Sequence, residues 1–271
     1  MEVTARGYTF DVIQGGPADG RPVLLLHGFP QDAREFDLVK THLHDAGLRT
    51  YALNQRGYSP GARPAEVADY RLSEPVADAV AVLDALGVDT AHVIGHDWGA
   101  QVGWLLAARH PDRVSTLTAI SVPHPRALRL ALRVRPSQRA RFAYMAFFRS
   151  AAAERSLLAG RGALLRAMMA PIGARARLYA EAMREPGRLT GGLNWYRALT
   201  GDQLAGVGTI TVPTTYVWSD RDGVVGRTAV LRTADWVEAD YQLVVMRGVS
   251  HWVPEQAPRE LAEAALRRIG V

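Results

Sequence analysis

The chain has 271 residues, 48% hydrophobic and 22% charged, with no cysteine and a formal charge of +5. That length is near the upper end for one domain and buries a sizeable core; the missing cysteines exclude disulfides, thiolate nucleophiles and cysteine metal sites. No apolar run approaches the roughly 20 residues that span a bilayer, so no membrane partner is expected. The opening MEVTARGYTFDV lacks a basic stretch leading into an apolar one, which predicts no secretory signal and a cytoplasmic enzyme.

In chain order, short apolar runs alternate with helical patterns, as in parallel sheets joined by crossover helices. Strands are expected at RPVLLLHG (21–28), LRTYALN (48–54), AHVIGH (91–96) and VSTLTAISV (114–122). Between them, SEPVADAVAVLDALG (73–87) reads as a helix opened by a serine cap and closed at Gly87. WGAQVGWLLAARH, after Asp97, carries apolar residues at helical spacing and stops before Pro111. From Pro123 to about Gly206 strand signals fade, and alanine, leucine, arginine and methionine dominate. This predicts a helical insertion of 123–206 in an α/β core of 1–122 and 207–271. Strand signals return at VPTTYVWSD (212–220) and YQLVVMRG (241–248), and an amphipathic helix starts near Arg259. Much of the basic excess lies between Pro125 and Phe142, and Lys40 is the only lysine. With no nucleic-acid motif, that segment reads as a solvated helical face and no nucleic-acid partner is expected.

The functional signal centres on VIGHDWGAQVGW (93–104). Gly95 and Gly99 flank Asp97 as a strained strand-to-helix elbow requires, with the tip raised beside the positive end of the next helix. On these residues alone, Asp97 can equally be a helix cap. Two later residues weigh for chemistry: Asp222 in YVWSDRDGVV, and His251 in GVSHWVPEQAP. Nucleophile, acid and histidine then follow one another in the order of an α/β-hydrolase triad. Asp220, in the same loop as Asp222, is expected to be a turn residue. Early in the chain, LLLHGFPQ is placed to aim the Phe29 N–H at the elbow, where it and the Trp98 N–H can form an oxyanion hole.

Over nearly its whole length the chain resembles the epoxide hydrolases of α/β-hydrolase fold. The phrases that carry the likeness are HGFPQ, QRGYSPGARP (55–64), GHDWGA, SVPHP (121–125) and GVSHWVPEQAP. The resemblance implies a mostly parallel sheet flanked by helices, with a helical cap after the sixth strand region. It implies that Asp97 attacks an epoxide carbon, that His251 and Asp222 activate water, and that two cap tyrosines hold the epoxide oxygen. AYMAFFRS offers Tyr144 and LNWYRAL offers Tyr196; the family's usual FQ is Phe148-Arg149 here, which puts the local cap packing in question. Substrate contacts are expected from His27, Pro30, Trp98, Met145, Phe148 and Trp195, with Met168, Met169 and Leu193 also shaping the pocket. No metal or cofactor is implied, the expected ligand is a small apolar epoxide, and a monomer or homodimer is expected.

A carboxylate at the elbow suits this chemistry, because attack on an sp³ carbon leaves an ester that water can cleave, where serine would leave an ether. Haloalkane dehalogenation uses the same aspartate, histidine and water, but it needs two donors for a halide. Trp98 supplies one, while Phe29 stands where an asparagine would be expected. A non-catalytic binder of the same fold is a reading of another class, disfavoured by a complete triad; a serine esterase lacks its serine.

Overall fold

The computed structural model describes residues 1–271. Its eight strands are β1 (Glu2–Ala5), β2 (Tyr8–Gly15), β3 (Arg21–Leu26), β4 (Leu48–Leu53), β5 (Ala91–His96), β6 (Val114–Ile120), β7 (Thr214–Ser219) and β8 (Tyr241–Met246). They form one sheet in the order β1-β2-β4-β3-β5-β6-β7-β8. β1 and β2 are antiparallel, as are β2 and β4, and every pair from β4 to β8 is parallel.

Parallel strands covered on both faces need unbroken apolar runs, and the period of two divides each run between two layers. In β3, Leu24 and Leu26 face one core, while Val23 and Leu25 face the other. The second core is closed by α1 (Asp37–Asp45) and, from the chain's end, the helix Pro258–Ile269. The first is closed by α2 (Ser73–Ala85) and α3 (Trp98–Arg109).

Between β6 and β7 the chain leaves the sheet and forms α4 (Pro125–Val134), α5 (Pro136–Arg141), α6 (Tyr144–Arg149), α7 (Ala153–Met168), α8 (Arg175–Ala182), α9 (Arg188–Ala198) and α10 (Gly201–Ala205). α7 is broken inside, with Ala159 extended and Gly160, Arg161 and Gly162 left-handed. Three short or terminal helices follow in the core: α11 (Arg227–Leu231), α12 (Val253–Gln256) and α13 (Pro258–Ile269). No helix is long and apolar enough to cross a membrane.

Two local expectations are revised. β1 and β2 add a hairpin at the sheet edge, turned by Arg6 and Gly7 at φ 52° and 77°, the left-handed pair of a two-residue turn. Its alternation is visible afterwards in the buried Val3, Ala5, Phe10 and Val12. Ser73 does not cap α2 but is its first residue, and its hydroxyl meets Glu74 Oε1 at 3.2 Å. The chain enters from a 3₁₀ turn with Leu72 already helical, so Ser73 never takes the extended conformation that aims a side chain at the first N–H groups.

The arginines of the 125–142 segment are partly structural clamps. Arg126 donates to Ala205 O, Arg139 to Leu132 O and Arg133 O, and Arg141 to the backbone oxygen of Asp222 at 2.8 Å. A further arginine ties the N-terminal hairpin to the sheet. Arg56, just after β4, makes a two-pronged bond to Asp78 of α2 at 2.7 Å, both side chains being 2% exposed, and Arg6 joins the same carboxylate from the hairpin turn. Removing one member of a buried pair strands the other charge. Asp78→Ala is therefore expected to lower the unfolding free energy by about 3–5 kcal/mol, and Arg6→Ala, at the half-exposed end, by under about 1 kcal/mol; urea unfolding measures both.

Candidate active site

Asp97 sits at φ 50°, ψ −113°, between the end of β5 and the first residue of α3. The turn is tight enough that neighbours must lack side chains. A Cβ on Gly95 would lie 2.3 Å from Gly99 O, and one on Gly99 would lie 1.9 Å from Leu26 O. The Asp97 side chain makes no capping bond to α3. Instead Oδ1 accepts the Phe29 N–H at 3.0 Å, and Oδ2 faces His251 Nε2 at 3.6 Å. Of the two expected backbone donors only Phe29 reaches the resting carboxylate.

His251 follows β8, and its Nδ1 meets Asp222 Oδ2 at 3.0 Å. The other oxygen of Asp222 accepts the N–H groups of Val224 and Val225 at 2.6 and 3.0 Å, which fixes the carboxylate in its loop. Asp220 is exposed and accepts the Gly248 N–H at 2.8 Å, a turn contact away from the histidine. Burial disfavours a charged imidazole, but Asp222, through charge and hydrogen bond, and Asp97 outweigh it and raise His251 to about 10. For Asp97, burial disfavours the anion, yet its interactions with His251, with His96 and the Phe29 N–H adding to them, hold the carboxyl below its ordinary range. The resting site is an ion pair: aspartate beside imidazolium.

Behind this pair lies a second couple that carries no motif. Glu35 and His96 are both 0% exposed. His96 Nε2 meets His251 O at 3.0 Å and must carry a proton to bond a carbonyl; His96 Nδ1 meets Glu35 Oε2 at 3.1 Å. Burial, reinforced by the charges of Glu255 and Asp97, pushes Glu35 well above the usual carboxylate range. Burial, with the His251 charge adding, lowers His96 to about 4. Glu35 is therefore a neutral acid donating to a neutral imidazole, which in turn holds the backbone of His251. Titratable residues inside buried apolar surroundings, such as His96 in AHVIGH, are the only sequence sign of it. Further out, Glu255 pairs with Arg175 at 2.5 Å and accepts the Tyr179 hydroxyl, joining α12 to α8.

A cavity of about 540 Å³ opens over Asp97, walled by Trp98 and Gln101 of α3, Leu128 and Leu132 of α4, residues 142–146 and Tyr196. Tyr144 and Tyr196 enter it from α6 and α9, their ring centres 6.2 Å apart. Burial raises both phenols well above their ordinary value, so both are protonated donors at neutral pH. Arg149, where the family's glutamine is expected, donates to Tyr196 O at 2.8 Å and Leu199 O at 3.0 Å, pinning the end of α9.

Among the expected substrate contacts, Trp98 and Met145 line this cavity; His27, Pro30, Phe148 and Trp195 do not. His27 is fully buried with both nitrogens committed, Nδ1 to Gly28 O and Nε2 to the Gln55 N–H. Pro30 is buried behind Phe29. Phe148 packs edge-on against Phe29, Tyr144 and Tyr196, supporting the phenols from behind. Trp195 turns its indole N–H to Arg56 O at 2.9 Å. Of the residues expected to shape the pocket from further off, Met168, Met169 and Leu193 also stand outside its wall. Gln101, a lone polar residue in the apolar stretch after Asp97, joins the wall unannounced by any motif.

An alpha/beta hydrolase fold family profile matches residues 21–258. The chain is 32% identical to the AB hydrolase superfamily protein YfhM of Bacillus subtilis, covering 94% of this chain and 92% of that one. It is 31% identical to epoxide hydrolase A of Mycobacterium tuberculosis, covering 97% and 95%. Among solved structures, epoxide hydrolase A of Mycobacterium thermoresistibile superposes with a TM-score of 0.86 at 28% identity, over 100% of this chain and 97% of that one. An inhibitor complex of the Bacillus megaterium epoxide hydrolase, at 22% identity, shares the fold with a TM-score of 0.91 over the whole of both chains.

Two outcomes are expected from the buried couple and the ion pair. Glu35→Gln keeps a donor for His96 Nδ1 and should leave turnover within about twofold, whereas Glu35→Leu removes it and should cost about tenfold, the worth of one buried hydrogen bond. His251, raised above its unfolded value, keeps its proton up to about pH 10, so kcat/KM should fall as pH rises through about 10. Removing the charge of Asp222 by Asp222→Asn should move that fall to lower pH, as a pH–rate profile would record.

Proposed function

The chain belongs to the alpha/beta hydrolase fold family, and we propose that it hydrolyses epoxides to vicinal diols through a covalent ester on Asp97. One observation carries the reading: an ionised carboxylate at the elbow shares a cavity with two protonated phenols, with an imidazolium behind it. We take residues 123–206 as a cap over a core of 1–122 and 207–271.

In the first half-reaction Asp97 displaces the ring oxygen from one epoxide carbon. Tyr144 and Tyr196 stabilise the departing oxygen and supply its proton, which His251 replaces. Esterification removes the Asp97 charge, and with it part of what kept the imidazole protonated. Neutral His251, oriented by Asp222, then takes a proton from water as that water attacks the ester carbonyl. The new oxyanion is met by the Phe29 N–H, already 3.0 Å from the carboxylate, and by the Trp98 N–H at the start of α3. Collapse expels the diol and restores aspartate and imidazolium, so proton transfers balance over one cycle with water as the only co-reactant.

The wall favours this reading over halide release. Trp195, the one indole near Trp98 in the cap, has its N–H engaged with Arg56 O, and Phe29 offers no side-chain donor, so a halide would find only one indole. Wall residues such as Val122, Leu128, Leu132 and Phe142 suit an aryl or alkyl substituent.

A single turnover with enzyme in excess over an aryl epoxide, in water enriched in heavy oxygen, tests the reading. An unlabelled first diol, with the label in the peptide carrying Asp97, is expected; a labelled diol and an unlabelled peptide would refute the ester. Tyr196→Phe should slow ester formation about 10²-fold or more, measured by rapid quench.

A further inference from the structure

Away from Asp97 the molecule has a second, strongly charged concavity that takes no part in the proposed reaction. A cleft of about 910 Å³ lies between the broken helix α7, α8 and the 3₁₀ turn Ala33–Phe36, and it shares no wall residue with the cavity over Asp97. Four arginines line it, Arg34, Arg161, Arg166 and Arg177, against one acid, Glu181. That acid is already paired at 2.8 Å with Arg184, which stands outside the wall. Arg161 and Arg177 are exposed, and their guanidinium groups make no hydrogen bond or ion pair within the protein.

The other two arginines are held in place. Arg34 grips Asp32 through Nε and Nη2 at 2.8 and 2.6 Å, leaving Nη1 free, and its backbone oxygen accepts from Arg175 of α8. Arg166 donates to Gly160 O and Arg161 O across the break in α7. Those two bonds keep Arg161 left-handed at φ 58°, a conformation that costs energy for a residue with a side chain. Gathering four like charges around one concavity also opposes folding. A bound anion would offset the repulsion, and guanidinium forks match phosphate oxygens in bidentate pairs.

The rest of the wall bears on the size of that anion and on what it carries. The volume is that of a pocket for a whole organic molecule, far more than one phosphate fills. Ala174, Leu178 and Ala182, spaced four apart, lay an apolar stripe along one face of α8 beside the arginines, with Leu178 38% exposed. We propose that the cleft is a binding site for an organic polyphosphate of the nucleoside triphosphate kind, its phosphates on the arginines and its base on the stripe. The concave wall suits a small molecule rather than a flat lipid surface. This site stands apart from the chemistry at Asp97 and does not depend on the epoxide reading.

Titration calorimetry with ATP, in magnesium-free buffer of low ionic strength, tests the site. One equivalent should bind, less tightly as salt is added, and tripolyphosphate should bind at least about threefold more weakly because it leaves the stripe bare. Arg161→Gly suits the left-handed backbone, so it removes the guanidinium and keeps the fold; Arg177→Gln removes the other free guanidinium from an exposed position on α8. Each should weaken ATP about tenfold, the worth of one charge-assisted hydrogen bond. Arg259→Gln removes the same charge from a side chain 77% exposed on α13, and should change the affinity less than about twofold. No binding of ATP, or equal weakening by all three substitutions, would overturn the site. Equal affinity for tripolyphosphate and ATP would overturn the organic ligand. Binding to anionic phospholipid vesicles without binding to ATP would overturn the small molecule and make this face a membrane contact.

Discussion

A carboxylate that must stay charged while almost wholly buried is the constraint around which the site is arranged. Asp97 is 8% exposed, and an isolated anion there would take up a proton. Three things hold it ionised: the imidazolium of His251, the Phe29 N–H and the start of α3. Each has its own support. His251 is oriented by Asp222, whose loop is held by Val224, Val225 and, from the insertion, Arg141. Phe29 is backed by Phe148 and Tyr196, and α3 meets the sheet only because Gly95 and Gly99 let the backbones touch. The left-handed Asp97 is strained for a residue with a side chain, and the strain persists because all these neighbours specify it.

The arrangement has two proton reservoirs of different kinds. Asp97, His251 and Asp222 form a charged line open to the cavity, suited to changing protonation within a cycle. Glu35 and His96 form a neutral line sealed from it, suited to holding position. His96, the last residue of β5, is adjacent in sequence to Asp97 at the elbow, yet it turns to Glu35 and the His251 backbone while Asp97 faces the cavity. The same dipeptide thus serves both lines, one residue to each side.

How much of this was legible depended on whether meaning lay in order along the chain or in contact across it. The parallel strands were readable because double-sided burial writes itself as unbroken apolar runs. Asp97, Asp222 and His251 stood out by their order, at turns after strand-like runs. The edge hairpin was not picked out, because β1 and β2 alternate over few residues and turn on Arg6-Gly7 rather than a commoner pair. His27, Pro30, Phe148 and Trp195 belong to the right phrases, yet their neighbours Phe29, Met145 and Tyr196 take the places nearer the chemistry. Adjacent residues on a helix or tight turn diverge in direction, and a phrase does not say which of its members faces in. Glu35 belongs to no phrase at all; only three-dimensional proximity gives it meaning.

One feature of the interior bears on how the molecule comes apart. The apolar cluster on the α2–α3 side does not stop at the sheet: Leu24, Val93 and Leu117 are continuous with Phe148, Tyr179, Leu193 and Trp195 of the helical insertion. Lifting the insertion away as a body would therefore expose sheet core and insertion core together. The two parts should melt as one cooperative unit.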